Sequence, residues 1–138
     1  MTIAAIDYGK RRLGIAASDA SGMVVYPAGV IERRSLKRDL AALSARLTEL
    51  EATRVIVGSP LNMDGTVGPA ARAAEQFAES VRDATGLEVE LCDERLSTFE
   101  AKERIKTAPK HGRRGAHLDD VAAVLILEAW FEARRCAR

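Results

Sequence analysis

Three acidic residues stand where an apolar run stops or starts. Asp7 follows the run Thr2–Ile6, Glu94 follows Glu88–Cys92 and its Asp93, and Asp119 opens a long apolar stretch. Carboxylates brought about 4 Å apart repel by roughly 4 kcal/mol per pair at an effective dielectric near 20. Such a group takes up a proton or a cation, and oxygen ligands without nitrogen or sulfur select Mg²⁺ or Mn²⁺. One or two of these ions can bind a phosphodiester, deprotonate a water for attack and neutralise the leaving oxygen. Each acid also has a plainer use. Asp7 can form a turn, Asp119 and Asp120 can cap a helix, and Glu94 can pair with Arg95 on the surface. Strand alternation sends Asp93 and Glu94 to opposite faces, so one of the two can join the cluster, and spacing does not say which. Asp120 is likewise an alternative to Asp119.

The surrounding charge has a pattern that the overall balance hides. The net charge is +1, yet from Ala101 to His117 six cations (Lys102, Arg104, Lys106, Lys110, Arg113 and Arg114) face Glu103 alone. Lys10-Arg11-Arg12 and Arg33-Arg34 are two shorter basic clusters. This is the footprint expected for a polyanionic partner, although solvated faces look the same. Aromatics make up 4% of the chain, too few for a stacking platform that would hold single strands. His111 and His117 have no spaced partners for zinc, and Cys92 and Cys136 form no CxxC pair. Ser97 and Thr98 read as helix caps, since no histidine is placed to activate either. No run is long and apolar enough to span a bilayer and no signal peptide is evident, so a reduced cytoplasmic setting is expected.

The elements must bring the acids together. Thr2–Ile6, Leu13–Ala17 and Met23–Ile31 read as three strands of an antiparallel meander, the third bulged near Pro27. Leu36, Leu40, Leu43, Leu47 and Leu50 recur at helical spacing after Ser35, a natural N-cap. Val55–Val57 is a buried strand stopped by Gly58-Ser59-Pro60. A helix begins near Pro69, with Ala70, Ala73, Ala74, Phe77, Val81 and Ala84 on its apolar side, and Gly86 closes it. Glu88–Cys92 is the next strand, Ser97–Lys106 a further helix, Thr107–Ala116 a basic loop, and Asp119 to about Arg135 a deeply packed last helix. The order is β-β-β-α-β-α-β-α-α. It implies an α/β fold with one five-stranded mixed sheet, a three-stranded antiparallel meander plus two parallel strands, and helices on both faces. At 138 residues, the span 1–138 is expected to be a single domain. In such sheets ligands gather beyond the carboxyl ends of the strands, where Asp7 and Glu94 fall.

Four stretches go further. Asp-Tyr-Gly-Lys-Arg-Arg-Leu-Gly-Ile-Ala (7–16), Val-Gly-Ser-Pro-Leu-Asn-Met-Asp-Gly (57–65), Asp-Glu-Arg-Leu-Ser-Thr (93–98) and Asp-Asp-Val-Ala-Ala-Val-Leu-Ile-Leu (119–127) resemble, in order and spacing, the signature motifs of the YqgF family. These are bacterial Holliday-junction resolvases, also described as pre-16S rRNA nucleases. The resemblance implies a ribonuclease H-like fold and a metal-dependent nuclease that matures the 5′ end of small-subunit ribosomal RNA. Junction cleavage in DNA recombination is the other activity it implies. It assigns Asp7, Glu94 and Asp119 as catalytic metal ligands. It also makes Lys10, Arg11, Arg12, Asn62, Arg95, Lys110, Arg113 and Arg114 candidates for holding substrate. A non-cutting module that docks on ribosomal RNA is a rival reading. A sugar-kinase-like or actin-like ATPase shares the Asp-x-Gly hairpin, but those enzymes close a cleft between two such domains.

Overall fold

A computed structural model of the chain describes residues 2–22, 24–60, 64–93 and 118–136, the last with backbone alone at 118–120 and 135–136. Strands β1 (Thr2–Tyr8), β2 (Arg12–Ser18) and β3 (Val25–Glu32) are followed by helix α1 (Leu36–Glu49) and strand β4 (Ala52–Ser59). Helix α2 (Pro69–Thr85), strand β5 (Glu88–Asp93) and helix α3 (Leu118–Cys136) complete the described elements. The five strands form one sheet in the order β3-β2-β1-β4-β5. β1 pairs antiparallel with β2 and β2 with β3, whereas β1–β4 and β4–β5 are parallel. The expected meander and parallel pair are therefore present. So is the bulge in the third strand: Gly14 faces Val30 and Ala16 faces Pro27, so three steps on β3 match two on β2.

Alternation along the strands divides the core in two. Ala4, Ile6, Leu13, Ile15, Val55, Val57 and Val89 pack with Leu43 and Leu47 of α1 and with Ala74, Phe77, Ala78 and Val81 of α2. Ile3, Ala5, Ala16, Ile56 and Cys92 point the other way and pack under Ala123, Ile126, Leu127 and Trp130 of α3. Helices thus cover both faces.

Local sequence explains the helix ends. The Ser35 hydroxyl accepts the backbone N–H of Arg38, satisfying one donor that the first turn of α1 would otherwise leave unpaired. Pro69 opens α2, and Gly86 ends it at φ 72°, where a side chain would be strained. Some apolar assignments differ from expectation. Leu36 is half exposed in the first turn of α1, and Ala70 and Ala84 face solvent, while Ala71 and Ala78 take buried places on α2. Alanines occur around most of that helix, so composition alone left its rotation open, and Phe77 and Val81 decide it. The helix expected over Ser97–Lys106 lies outside the described residues, as does the basic loop Thr107–Ala116.

Candidate active site

Asp7 is the penultimate residue of β1, half-buried, and pairs with Gly14 of β2. It shares the alternation of Ile3 and Ala5, so it belongs to the sheet face that α3 covers. β4 and β5 end at the same edge: Val57 is the last residue matched to β1, by Ile6, and Ser59 at the end of β4 lies beside Asp93. Asp93 has the alternation of Val89, on the α1–α2 side, and so does not share a face with Asp7. Position 58, between Asp7's strand and Cys92, is a buried glycine on the α3 side. β4 therefore presents no side chain between the ends of β1 and β5.

The direction of α3 follows from three contacts. Cys92 Sγ lies 3.9 Å from the Ile126 carbonyl oxygen, and Trp130 Nε1 donates to a Glu90 carboxylate oxygen at 2.9 Å. Further on, a Cβ at Gly22, in the β2–β3 turn, would come within 3.3 Å of the Phe131 ring. As α3 advances, it moves back along β5 towards the opposite end of the sheet. Its first turn, where Asp119 stands in the chain, accordingly enters over the edge at which β1, β4 and β5 stop. From Ile126 back to position 119 is about 10 Å of helix rise.

The turn after Asp7 is held on several sides. Gly9 N–H donates to the Arg12 carbonyl at 3.1 Å, and a Cβ on Gly9 would sit 2.6 Å from that oxygen, so only glycine fits. Lys10, Arg11 and Arg12 are exposed around this turn, beside Asp7. Arg33 was expected in a basic cluster facing a polyanion, and the structure assigns it differently. Its Nε donates to Asp39 Oδ2 at 3.2 Å and its Nη1 to the Gly9 carbonyl at 3.1 Å. Its guanidinium carbon lies 4.6 Å from the centroid of the Tyr8 ring, and its backbone N–H donates to the Arg11 carbonyl at 2.8 Å. Asp39, 2% exposed, also accepts the backbone N–H of Arg34 at 2.9 Å. Sequence reading passed over Asp39. Its signal was position: an acid three residues after Leu36 and four before Leu43, on the apolar stripe of α1, needs a buried partner.

The remaining candidates, Glu94, Asn62, Arg95, Lys110, Arg113 and Arg114, lie outside the described residues, and Asp119 is described by its backbone alone. Among the described residues no three His, Cys, Asp or Glu side chains are grouped to hold a metal. No helix among them is long and apolar enough to cross a membrane.

With this geometry in place, likeness to known proteins decides the family. Residues 1–133 match the RuvX family, described as Holliday junction resolvase. The chain belongs to the RuvX family. It is 43% identical over 131 residues to a Myxococcus xanthus protein named "Putative pre-16S rRNA nuclease", covering 94% of this chain and 87% of that one. A protein of the same name from Anaeromyxobacter sp. is 44% identical over 131 residues, covering 94% and 95%. Among solved structures, Thermus thermophilus RuvC in complex with a Holliday junction superposes with a TM-score of 0.64 at 17% identity, over 98% of this chain and 96% of that one. The fowlpox virus Holliday junction resolvase gives 0.58 at 13% identity, over 97% and 99%. These likenesses establish the ribonuclease H-like fold, and the family is one of nucleases.

Proposed function

We propose that this RuvX-family nuclease is a metal-dependent endonuclease of structured nucleic acid, acting in the cytoplasm as a single domain. Its favoured substrate is the 5′ end of the 16S ribosomal RNA precursor. One observation carries the reading: Asp7 stands one residue from the end of β1, on the sheet face over which α3 enters with its first turn. Glu90 and Cys92 lie on that face too, and Glu94 is the next acid in the chain after β5. Asp119 is one turn ahead of buried Ala123 on α3. Asp93, on the other face, drops out as a rival ligand.

The donor set fits a hard divalent cation. Asp7, Glu94 and Asp119 would supply oxygens alone, which suits Mg²⁺ or Mn²⁺, and the glycine at position 58 leaves the space between β1 and β5 on that face free of a side chain. Bound there, one or two ions would supply an activated water and neutralise charge on the scissile phosphate. Lys10, Arg11 and Arg12 would hold the strand beside Asp7. Asn62, Arg95, Lys110, Arg113 and Arg114 would extend the contact. Two substrates are supported by resemblance: the curated relatives are named for pre-16S rRNA, and the family for the Holliday junction.

The test is a panel of precursor 16S rRNA ends, a four-way DNA junction and plain duplexes, each with Mg²⁺, Mn²⁺ or EDTA. Metal-dependent cutting at the precursor end is expected. Cutting of the junction alone would replace RNA with DNA as substrate. Salt-sensitive binding with no product from any member would leave a docking module instead.

A further inference from the structure

We infer that Arg33, held by buried Asp39, is a positioning residue for the active site. It would act by fixing the turn that carries Asp7 and the cations Lys10, Arg11 and Arg12. This rests on the proposed role of Asp7.

The β1–β2 ladder orders Asp7 and Tyr8 against Gly14 and Leu13, but it does not reach the turn between the strands. Within that turn, Gly9 N–H donates to the Arg12 carbonyl across the loop. Arg33 supplies what the ladder does not. Its side chain holds the Gly9 carbonyl and lies over the Tyr8 ring, and its backbone holds the Arg11 carbonyl. Tyr8 in turn packs on Phe77 of α2, with ring centroids 4.5 Å apart, so the turn is tied through to the core.

Arginine suits this place because its planar fork can donate in two directions while its face stacks on a ring; a lysine ammonium cannot do all three in one geometry. Asp39 is 2% exposed and receives both Arg33 Nε and Arg34 N–H, so Arg33 is fixed from behind. Side-chain rotation that would otherwise let Arg33 swing to a phosphate is thereby suppressed. The guanidinium serves the turn and is not placed as a substrate contact.

Displacing a metal-binding carboxylate by about 1 Å can lower turnover on the order of 100-fold without unfolding the protein. The test compares wild type with Arg33→Lys, Arg33→Met and Asp39→Asn, with Arg54→Lys as an ion-pair control at the far end of the sheet. Each is measured for thermal midpoint, for Mn²⁺ affinity by electron paramagnetic resonance, and for kcat and KM on the substrate that wild type cuts. Arg33→Lys is expected to weaken Mn²⁺ binding and lower kcat by about 10- to 100-fold with KM nearly unchanged, the folded fraction staying as in Arg54→Lys. Unchanged Mn²⁺ affinity and kcat in well-folded Arg33→Lys would overturn the inference. So would losses in step with the folded fraction. Asp7→Asn runs alongside: if it cuts and binds Mn²⁺ like wild type, the proposed site fails. If it is inactive while Arg33→Lys behaves as wild type, only the positioning role fails. Should wild type cut nothing, the Mn²⁺ affinities decide alone.

Discussion

Trp130 Nε1 donates to a Glu90 carboxylate oxygen at 2.9 Å, and this bond ties the helix that begins beside Asp119 to the strand that leads towards Glu94. Arg54 pairs with the same Glu90 and with Glu88, and the guanidinium carbons of Arg54 and Arg134 lie 6.0 and 4.4 Å from the Trp130 ring centroid. The arrangement fixes how far α3 slides along β5. Trp130→Phe keeps the ring but removes the donor. Glu90 retains Arg54, so no carboxylate is stranded, and the cost should fall near 1–2 kcal/mol. Trp130→Ala also opens a cavity beneath α3 and should cost about 3–5 kcal/mol. Urea unfolding of wild type and both variants checks the order; a Trp130→Phe midpoint equal to wild type would mean the indole donor contributes little, and one equal to Trp130→Ala that the ring does.

In the proposed reading, Asp7 is the residue on which the chemistry turns. Asp7→Asn preserves size and the β1 ladder while removing the negative charge that a divalent ion requires. Cutting should be abolished, and binding of the same nucleic acid in Mg²⁺-free buffer should stay within a few fold of wild type, because Lys10, Arg11 and Arg12 are untouched. EDTA should reproduce the loss of cutting in wild type without lowering its thermal midpoint, since both core clusters are built from apolar side chains and need no ion. A gel cleavage assay and a melting curve on the same samples decide both points.

Gly9 offers a sharper test of the turn. A Cβ at this position would lie 2.6 Å from the Arg12 carbonyl oxygen, a contact that backbone must relieve by moving. Gly9→Ala should therefore destabilise the fold by about 1–3 kcal/mol, the range typical of overpacking. Its activity should fall by more than the unfolded fraction accounts for, because the segment pushed aside is the one that follows Asp7. A variant with wild-type stability and turnover would show that the turn tolerates the shift.

Much of this architecture is written locally, and some of it is not. Ser35 announces the start of α1 and Gly86 the end of α2 because caps act over three or four residues, a range that sequence displays directly. Asp7 is legible for the same reason: an acid at the end of an apolar run in a sheet protein lies at the carboxyl edge. The choice between Asp93 and Glu94 was not legible, since it depends on which face of β5 meets which helix. Val89 under α2 and Cys92 under α3 show which face Asp93 takes, the one away from Asp7. The surroundings of Arg33 were hidden further, because its partners come from two separate places, Tyr8 and Gly9 at the end of β1 and Asp39 on α1. Counting charges placed it among surface cations, whereas a buried acid six residues on and the distant Gly9 carbonyl hold its guanidinium.

Lys10 and Arg11 provide the last prediction, one that separates electrostatic holding from catalysis. Both are exposed beside Asp7, and among the described residues neither side chain enters an ion pair. If each contacts one phosphate, replacing both with alanine removes two counterion-releasing contacts. The slope of log K against log salt should then become shallower by about 1.8 on duplex DNA, or about 1.4 on a single strand. Because neither side chain packs in the core, the thermal midpoint should stay within about 0.5 kcal/mol of wild type in stability. Turnover at saturating substrate should fall less than affinity does, since binding to ground state and transition state is weakened alike. Titrations at three or more salt concentrations measure the slope; an unaltered slope would place the bound strand away from the β1–β2 turn and move the search for phosphate contacts elsewhere on the protein.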